Sequence, residues 1–189
     1  MNEQAFNRTQ WYITAIVLFF IWTILAWTHF HGGVPSHHLL QRKDLPAISN
    51  WWGAILLPLL AWISMYRIGK RLKNKGLSGD ALKKTIRNII IGFSGGLLFG
   101  IILAVCFTMG YNDFLGYLVD SLLVLFLLVP MFRSEYLLGF VIGMTVTFGA
   151  ILPTAFALLV AAVSVTVYNY IRPFLLRLIR LIRGKSPQP

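Results

Sequence analysis

Between Ile89 and Met109 the chain reads IIIGFSGGLLFGIILAVCFTM, a run long enough to cross a bilayer as a helix and free of any charged side chain. Runs of this kind restrict a chain to the architectures that satisfy every backbone N–H and C=O without water, which are helices and closed barrels. No alternating strand pattern accompanies them, so a transmembrane barrel is excluded and a bundle of helices remains. Six stretches reach or approach the required length: Trp11 to Thr28, Trp51 to Tyr66, Ile89 to Met109, Phe114 to Phe132, Leu137 to Leu152 and Thr154 to Ile171. The last two adjoin at Pro153, whose missing N–H and ring clash predict a break there and a tight hairpin. The expected fold is therefore all-α, a polytopic membrane bundle of six transmembrane helices. Only 12% of the 189 residues are charged and 57% are hydrophobic, against about 25% and about 45–50% in soluble domains.

The basic residues set the expected orientation, because short loops rich in Lys and Arg stay in the cytoplasm. Arg67, Lys70, Arg71, Lys73, Lys75, Lys83, Lys84 and Arg87 fall in one connection, and Arg172, Arg177, Arg180, Arg183 and Lys185 in the tail. Both segments then face inward, as does the turn at Arg133, and an even number of spans places the N- and C-termini in the cytoplasm. Trp11 and Tyr12 mark an inner edge, Trp27, Trp51 and Trp52 an outer one. The division is residues 1–172 as the six-span domain, with an outer loop at 29–50 and a basic cytoplasmic loop at 67–87, followed by 173–189 as a basic amphipathic cytoplasmic tail. The first span is expected to remain uncleaved, since the bulky WTHF after it makes a poor cleavage site. A bacterial inner (plasma) membrane is the expected location.

A net charge of +11 and a pI near 10.2 would suggest nucleic acid in a soluble chain. Here the topology accounts for the charge, and no nucleic-acid partner is expected. In the tail, Arg177, Arg180 and Arg183 recur every three residues among Leu and Ile, giving a helix with a basic and an apolar face suited to anionic lipid. Gly76 and Ser78 read as the C-terminal and N-cap signals of the helices on either side of them, with Asp80 near the positive end of the second.

Within the spans, Asp120 is an ionisable acid at depth, and such residues usually face the bundle interior or a water-filled cavity. It is expected to serve ligand binding or proton coupling, or to be satisfied by hydroxyls such as Ser121, Thr145 and Thr147. Gly92, Gly96 and Gly100 repeat every four residues, and Gly139 and Gly143 do likewise. Such stripes let helix backbones approach closely, as an internal seam or between copies of the chain.

All four histidines lie in HFHGGVPSHH: His29, His31, His37 and His38, with Asp44 following. Neutral imidazole is the commonest metal ligand, but this spacing matches no zinc signature, and adjacent His37 and His38 point apart in regular structure. Cys106 stands alone, so an intrachain disulfide, a CxxC pair and a thiolate zinc site are all excluded. No phosphate-binding glycine loop and no GxSxG occurs, and no cofactor follows from any motif. Three spans followed by three in the opposite sense permit an inverted repeat, but the halves share no motif.

In size, span number and inward termini the chain resembles the substrate-binding subunit of an energy-coupling-factor transporter, a likeness of topology that assigns no site residue. Three functional readings stay open: a protein that binds or transports a small solute with Asp120 in its cavity and the histidine loop as a lid; a membrane-embedded enzyme or metal site on His29, His31, His37, His38 and Asp44; and a structural or assembly subunit with a partner membrane subunit or a second copy of itself.

Overall fold

A computed structural model describes residues 3–38, 47–74, 76 and 78–183. The chain is nearly all helix: α1 (Glu3–Phe30), α2 (Gly53–Asn74), α3 (Gly79–Met109), α4 (Asn112–Leu128), α5 (Ser134–Phe148), α6 (Ile151–Thr166) and α7 (Arg172–Arg183). Four helical segments are long and apolar enough to cross a membrane, Gln4–Phe30, Asn50–Asn74, Gly79–Met109 and Ile151–Arg180; Ser134–Phe148 is apolar but shorter.

Several boundaries differ from those expected, each for a local reason. The break between the last two apolar stretches falls at Gly149, not Pro153. Gly149 has φ +70° and ψ −177°, its N–H bonds the Thr145 carbonyl at 2.9 Å, and the side chain of Asn50 occupies the space a Cβ would need. Pro153 then sits in the first turn of α6, where an amide has no helical acceptor to lose. Helix α4 stops at Leu128 because Val129, held extended by the following Pro130, cannot continue it. The basic connection bounded at 67–87 is mostly helix, in keeping with the end signals at Gly76 and Ser78: α2 runs past Tyr66 to Asn74 and α3 starts at Gly79. Ser78 occupies the N-cap position of α3 without a side-chain capping bond. At the far end, α6 continues through a π-helical turn, Val167–Ile171, into α7. Pro173 accounts for the widened turn, since it cannot donate to the carbonyl four residues back.

The connection between α1 and α2 contains a short antiparallel pair, β1 (Ser36–His38) with β2 (Ala47–Ser49), Ser36 opposite Ser49 and His38 opposite Ala47. Three-residue strands are too brief for alternation to register in a sequence.

The apolar helices run up and down. Phe6 of α1 lies against Gly69 of α2 at one end, and Ile21 and Ala150 lie against Gly53 toward the other. Gathered at the first end are the start of α1, the α2–α3 connection and the α4–α5 turn, and with them most of the basic residues; of the 17 Lys and Arg, only Arg42 and Lys43 belong to the histidine loop in sequence. We call these the basic end and the histidine end. Helix α5 is central: it packs on α3, α6 and α2, and buries Leu138, Gly139, Phe140, Val141 and Thr145. Helix α1 packs on α2 through Val17, Ile21 and Leu25, spaced by four and recurring on one face. Helix α4 is peripheral, with Leu122 its buried contact in a small cluster with Val160 of α6.

Between α3 and α5 the backbones touch. A Cβ on Gly96 would strike the Tyr136 carbonyl, one on Gly100 the Phe140 carbonyl, one on Gly139 the Phe93 carbonyl and one on Gly143 the Leu97 carbonyl. Without a hydrophobic effect in lipid, such close van der Waals approach is a principal source of helix association.

Candidate binding site

Asp120 lies on the exposed side of α4 and forms no hydrogen bond or ion pair among the described residues, although it was expected to face the interior. Helical phase explains this: Leu115, Leu118, Leu122 and Leu125 form the stripe turned toward the bundle, and Asp120 falls outside it. The hydroxyls named with it are elsewhere occupied. Ser121 donates to the Leu118 carbonyl at 2.6 Å and buried Thr145 to the Val141 carbonyl at 2.7 Å, while Thr147 is half-buried on α5. These four residues do not form one site.

His29 and His31 are exposed at the end of α1. The His31 ring stacks on Trp27 at 3.9 Å, with Nδ1 2.9 Å from the Trp27 carbonyl oxygen, and His29 lies edge-on to Trp51 at 6.0 Å. The backbones of His37 and His38 belong to β1, but their side chains, and Asp44 entirely, lie outside the described residues. Among the described residues no three His, Cys, Asp or Glu side chains group as metal ligands. In the tail, Arg177 and Arg180 are exposed on α7, and the Arg183 side chain lies outside the described residues. Cys106 is buried and unpaired.

The principal polar feature inside the bundle went unremarked in the sequence. Glu135, in the first turn of α5, is 2% exposed, and its Oε1 accepts a hydrogen bond from Nη2 of Arg71 on α2 at 2.8 Å. Its Oε2 is buried with no partner among the described residues. Gly92 of α3 makes room for the pair, since a Cβ there would press on the Glu135 stem and the Tyr136 ring, both at 3.0 Å. Breaking a buried ion pair by removing one partner costs about 3–5 kcal/mol, because a charge is left uncompensated in a poor solvent for it.

Beside Glu135 is a cavity of about 420 Å³. Ile16 and Phe20 of α1 form one wall and Ile90 and Phe93 of α3 the other; Met65 and Ile68 of α2 lie between, and Ile142 of α5 closes the side toward the histidine end. The wall is carbon throughout, Glu135 contributing only its stem. Helices α1 and α3 make little contact with each other. Ile16 and Ile90, one on each wall, are 67% and 58% exposed, so the cavity opens sideways from the bundle between them. Its volume lies in the roughly 300–1,000 Å³ range of small-molecule sites.

At the basic end α1 and α2 flank a second hollow of about 630 Å³, lined by Asn7 and Gln10 of α1 and Lys70, Lys73 and Asn74 of α2, with Leu82 contributed by α3. Gln10 is buried and donates to the Trp62 carbonyl at 3.3 Å. A cluster of Met65, Ile68 and Leu72 with Phe6, Ile13, Leu82 and Ile89 stands between the two spaces.

No family model matches the chain, and neither does any curated protein or solved structure.

Proposed function

We propose that the protein is an integral membrane protein that binds a lipophilic small molecule in the cavity between α1 and α3, as the binding step of carriage or transport. The observation that carries this reading is an apolar space of about 420 Å³, walled by carbon and open to the side of the bundle between Ile16 and Ile90. The solute-binding role is thus assigned to this cavity in place of Asp120. With six spans, inward termini and the basic end in the cytoplasm, the ion pair lies toward the inner leaflet. The same orientation lays the tail helix α7, which exposes Phe174, Leu178 and Ile179 beside its arginines, on anionic lipid at the cytoplasmic face.

With Cys106 replaced, a cysteine at Ser36 is expected to react from outside intact cells and one at Ser78 only after lysis; the reverse would overturn the orientation. The binding reading is tested by Ile16→Trp, which adds an indole at the cavity mouth where the present side chain is exposed. Native mass spectrometry of protein taken from its membrane in mild detergent is expected to show a retained lipophilic species on the wild type and none on the variant. Identical spectra of bare protein from both would reject it.

A further inference from the structure

Helix α4 turns one face to the bundle and leaves the other uncovered. Asp113, Tyr117, Asp120 and Val124 recur at intervals of four, three and four residues, hence on one face, and all four are exposed. Leu118 and Leu122 point the other way, into the bundle. Asp120 lies midway along the 17 residues of α4, roughly 12 Å from either end at 1.5 Å per residue. An aspartate is too short to lift its carboxyl to the interface from there, as a lysine stem can. It has no hydrogen bond or ion pair among the described residues. None of the six apolar stretches contains a Lys, Arg or His, so the chain holds no cation for it at that depth.

Resting on the six-span reading and independent of the cavity, we propose that α4 pairs with α4 of a second copy of this chain, the two Asp120 carboxyls hydrogen-bonded to each other at the contact. Lipid offers no donor or acceptor at that depth, and polar side chains so placed are satisfied across helices. Two copies inserted in the same sense are related by a two-fold axis along the membrane normal, so each residue at the axis meets its own counterpart at equal depth. A protonated carboxyl both donates and accepts, so two of them complete each other without a third group. Gly116, one turn toward the histidine end, leaves the face flat: among the described residues nothing lies within 4 Å of a Cβ built on it, so a second helix can come close.

The test uses the full chain in native membranes, with Cys106 replaced and a single cysteine placed at Val124 on this face or at Leu98, equally exposed on α3. Mild oxidation is expected to give a disulfide-linked dimer at position 124 and monomer at position 98. Asp120→Leu is expected to weaken dimerisation, measured by dilution in mild detergent, by roughly tenfold. Asp120→Asn is expected to preserve it, since an amide also donates and accepts. Gly116→Leu should weaken it as well, and because that position is open in the single chain its thermal midpoint should not fall. Monomer at position 124, equal cross-linking at both positions, or a dimer that Asp120→Leu leaves intact would overturn the proposal. So would loss of the pairing in Asp120→Asn with capture at position 124 of a different membrane protein, which would assign the face to a partner with a cationic side chain at that depth.

Discussion

Along Gly96 and Gly100, α3 lies backbone to backbone on α5, whereas Ile89, Ile90 and Phe93 of the same helix stand off from α1 across an open groove. The glycine side closes because nothing projects from it, and carbonyl oxygens of one helix reach the Cα atoms of the other. On the α1 side, branched and aromatic side chains hold the axes apart. In water an exposed apolar groove of this kind would drive its own closure. Lipid removes that drive, since acyl chains are as apolar as leucine, so in a membrane the gap persists at little cost and stays open for the lipophilic ligand we propose. One helix thus carries both the contact that fixes the bundle and the wall of the site.

Adding bulk to each side should expose the asymmetry. Gly96→Val together with Gly139→Val drives methyl groups into the Tyr136 and Phe93 carbonyls. Overpacking costs about 1–3 kcal/mol per site and more where backbone must move, so this pair is expected to yield no folded, monodisperse protein; a well-behaved product would show that α3 and α5 are not in contact. Arg71→Ala comes next. It strands Glu135 in the interior and should cost toward the lower end of about 3–5 kcal/mol, because Arg71 is 24% exposed and partly solvated. The combined change Arg71→Met and Glu135→Leu should recover most of that loss in thermal midpoint; failure to recover would mean that the pair contributes more than mutual neutralisation. The smallest effect belongs to the open side. Ile16→Trp adds nearly as much volume as either valine, yet should shift stability by less than about 0.5 kcal/mol, the usual range for surface positions. A drop as large as that of the glycine pair would show the groove to be closed in the membrane.

The glycine stripes could be singled out by spacing alone, since fourfold repeats of a residue without a side chain have few other uses in a membrane helix. Which helix they meet could not, because α3 and α5 are separated by α4 in sequence and nothing in either stripe names its partner. Asp120 was legible by depth and misplaced by phase: its distance along the span is visible at once, but its side of the helix depends on the leucine stripe that turns toward the bundle. The Arg71–Glu135 pair escaped for a third reason. Ending each span at its first charged residue cut α2 at Tyr66 and made Arg71 a loop residue. Yet the buried phase of Leu57, Ala61 and Met65 continues through Ile68 and Leu72, and that continuation is the signal by which Arg71 could have been placed on a packed helix. Gly149 was passed over for Pro153 on similar grounds, since proline announces a break wherever it stands, while its tolerance in a first helical turn depends on where the helix begins.

The account depends most on the groove between α1 and α3 holding a lipophilic molecule when the surrounding lipid is gone. Photoreactive benzoylphenylalanine in place of Ile90, at the cavity mouth, can be compared with the same residue in place of Leu98, which is 59% exposed on α3 but away from the cavity. After extraction and extensive washing in detergent, illumination is expected to yield a covalent lipid adduct at position 90, seen as a discrete mass increase, and only detergent adducts at position 98. Detergent adducts alone at both positions, or equal lipid capture at both, would contradict it.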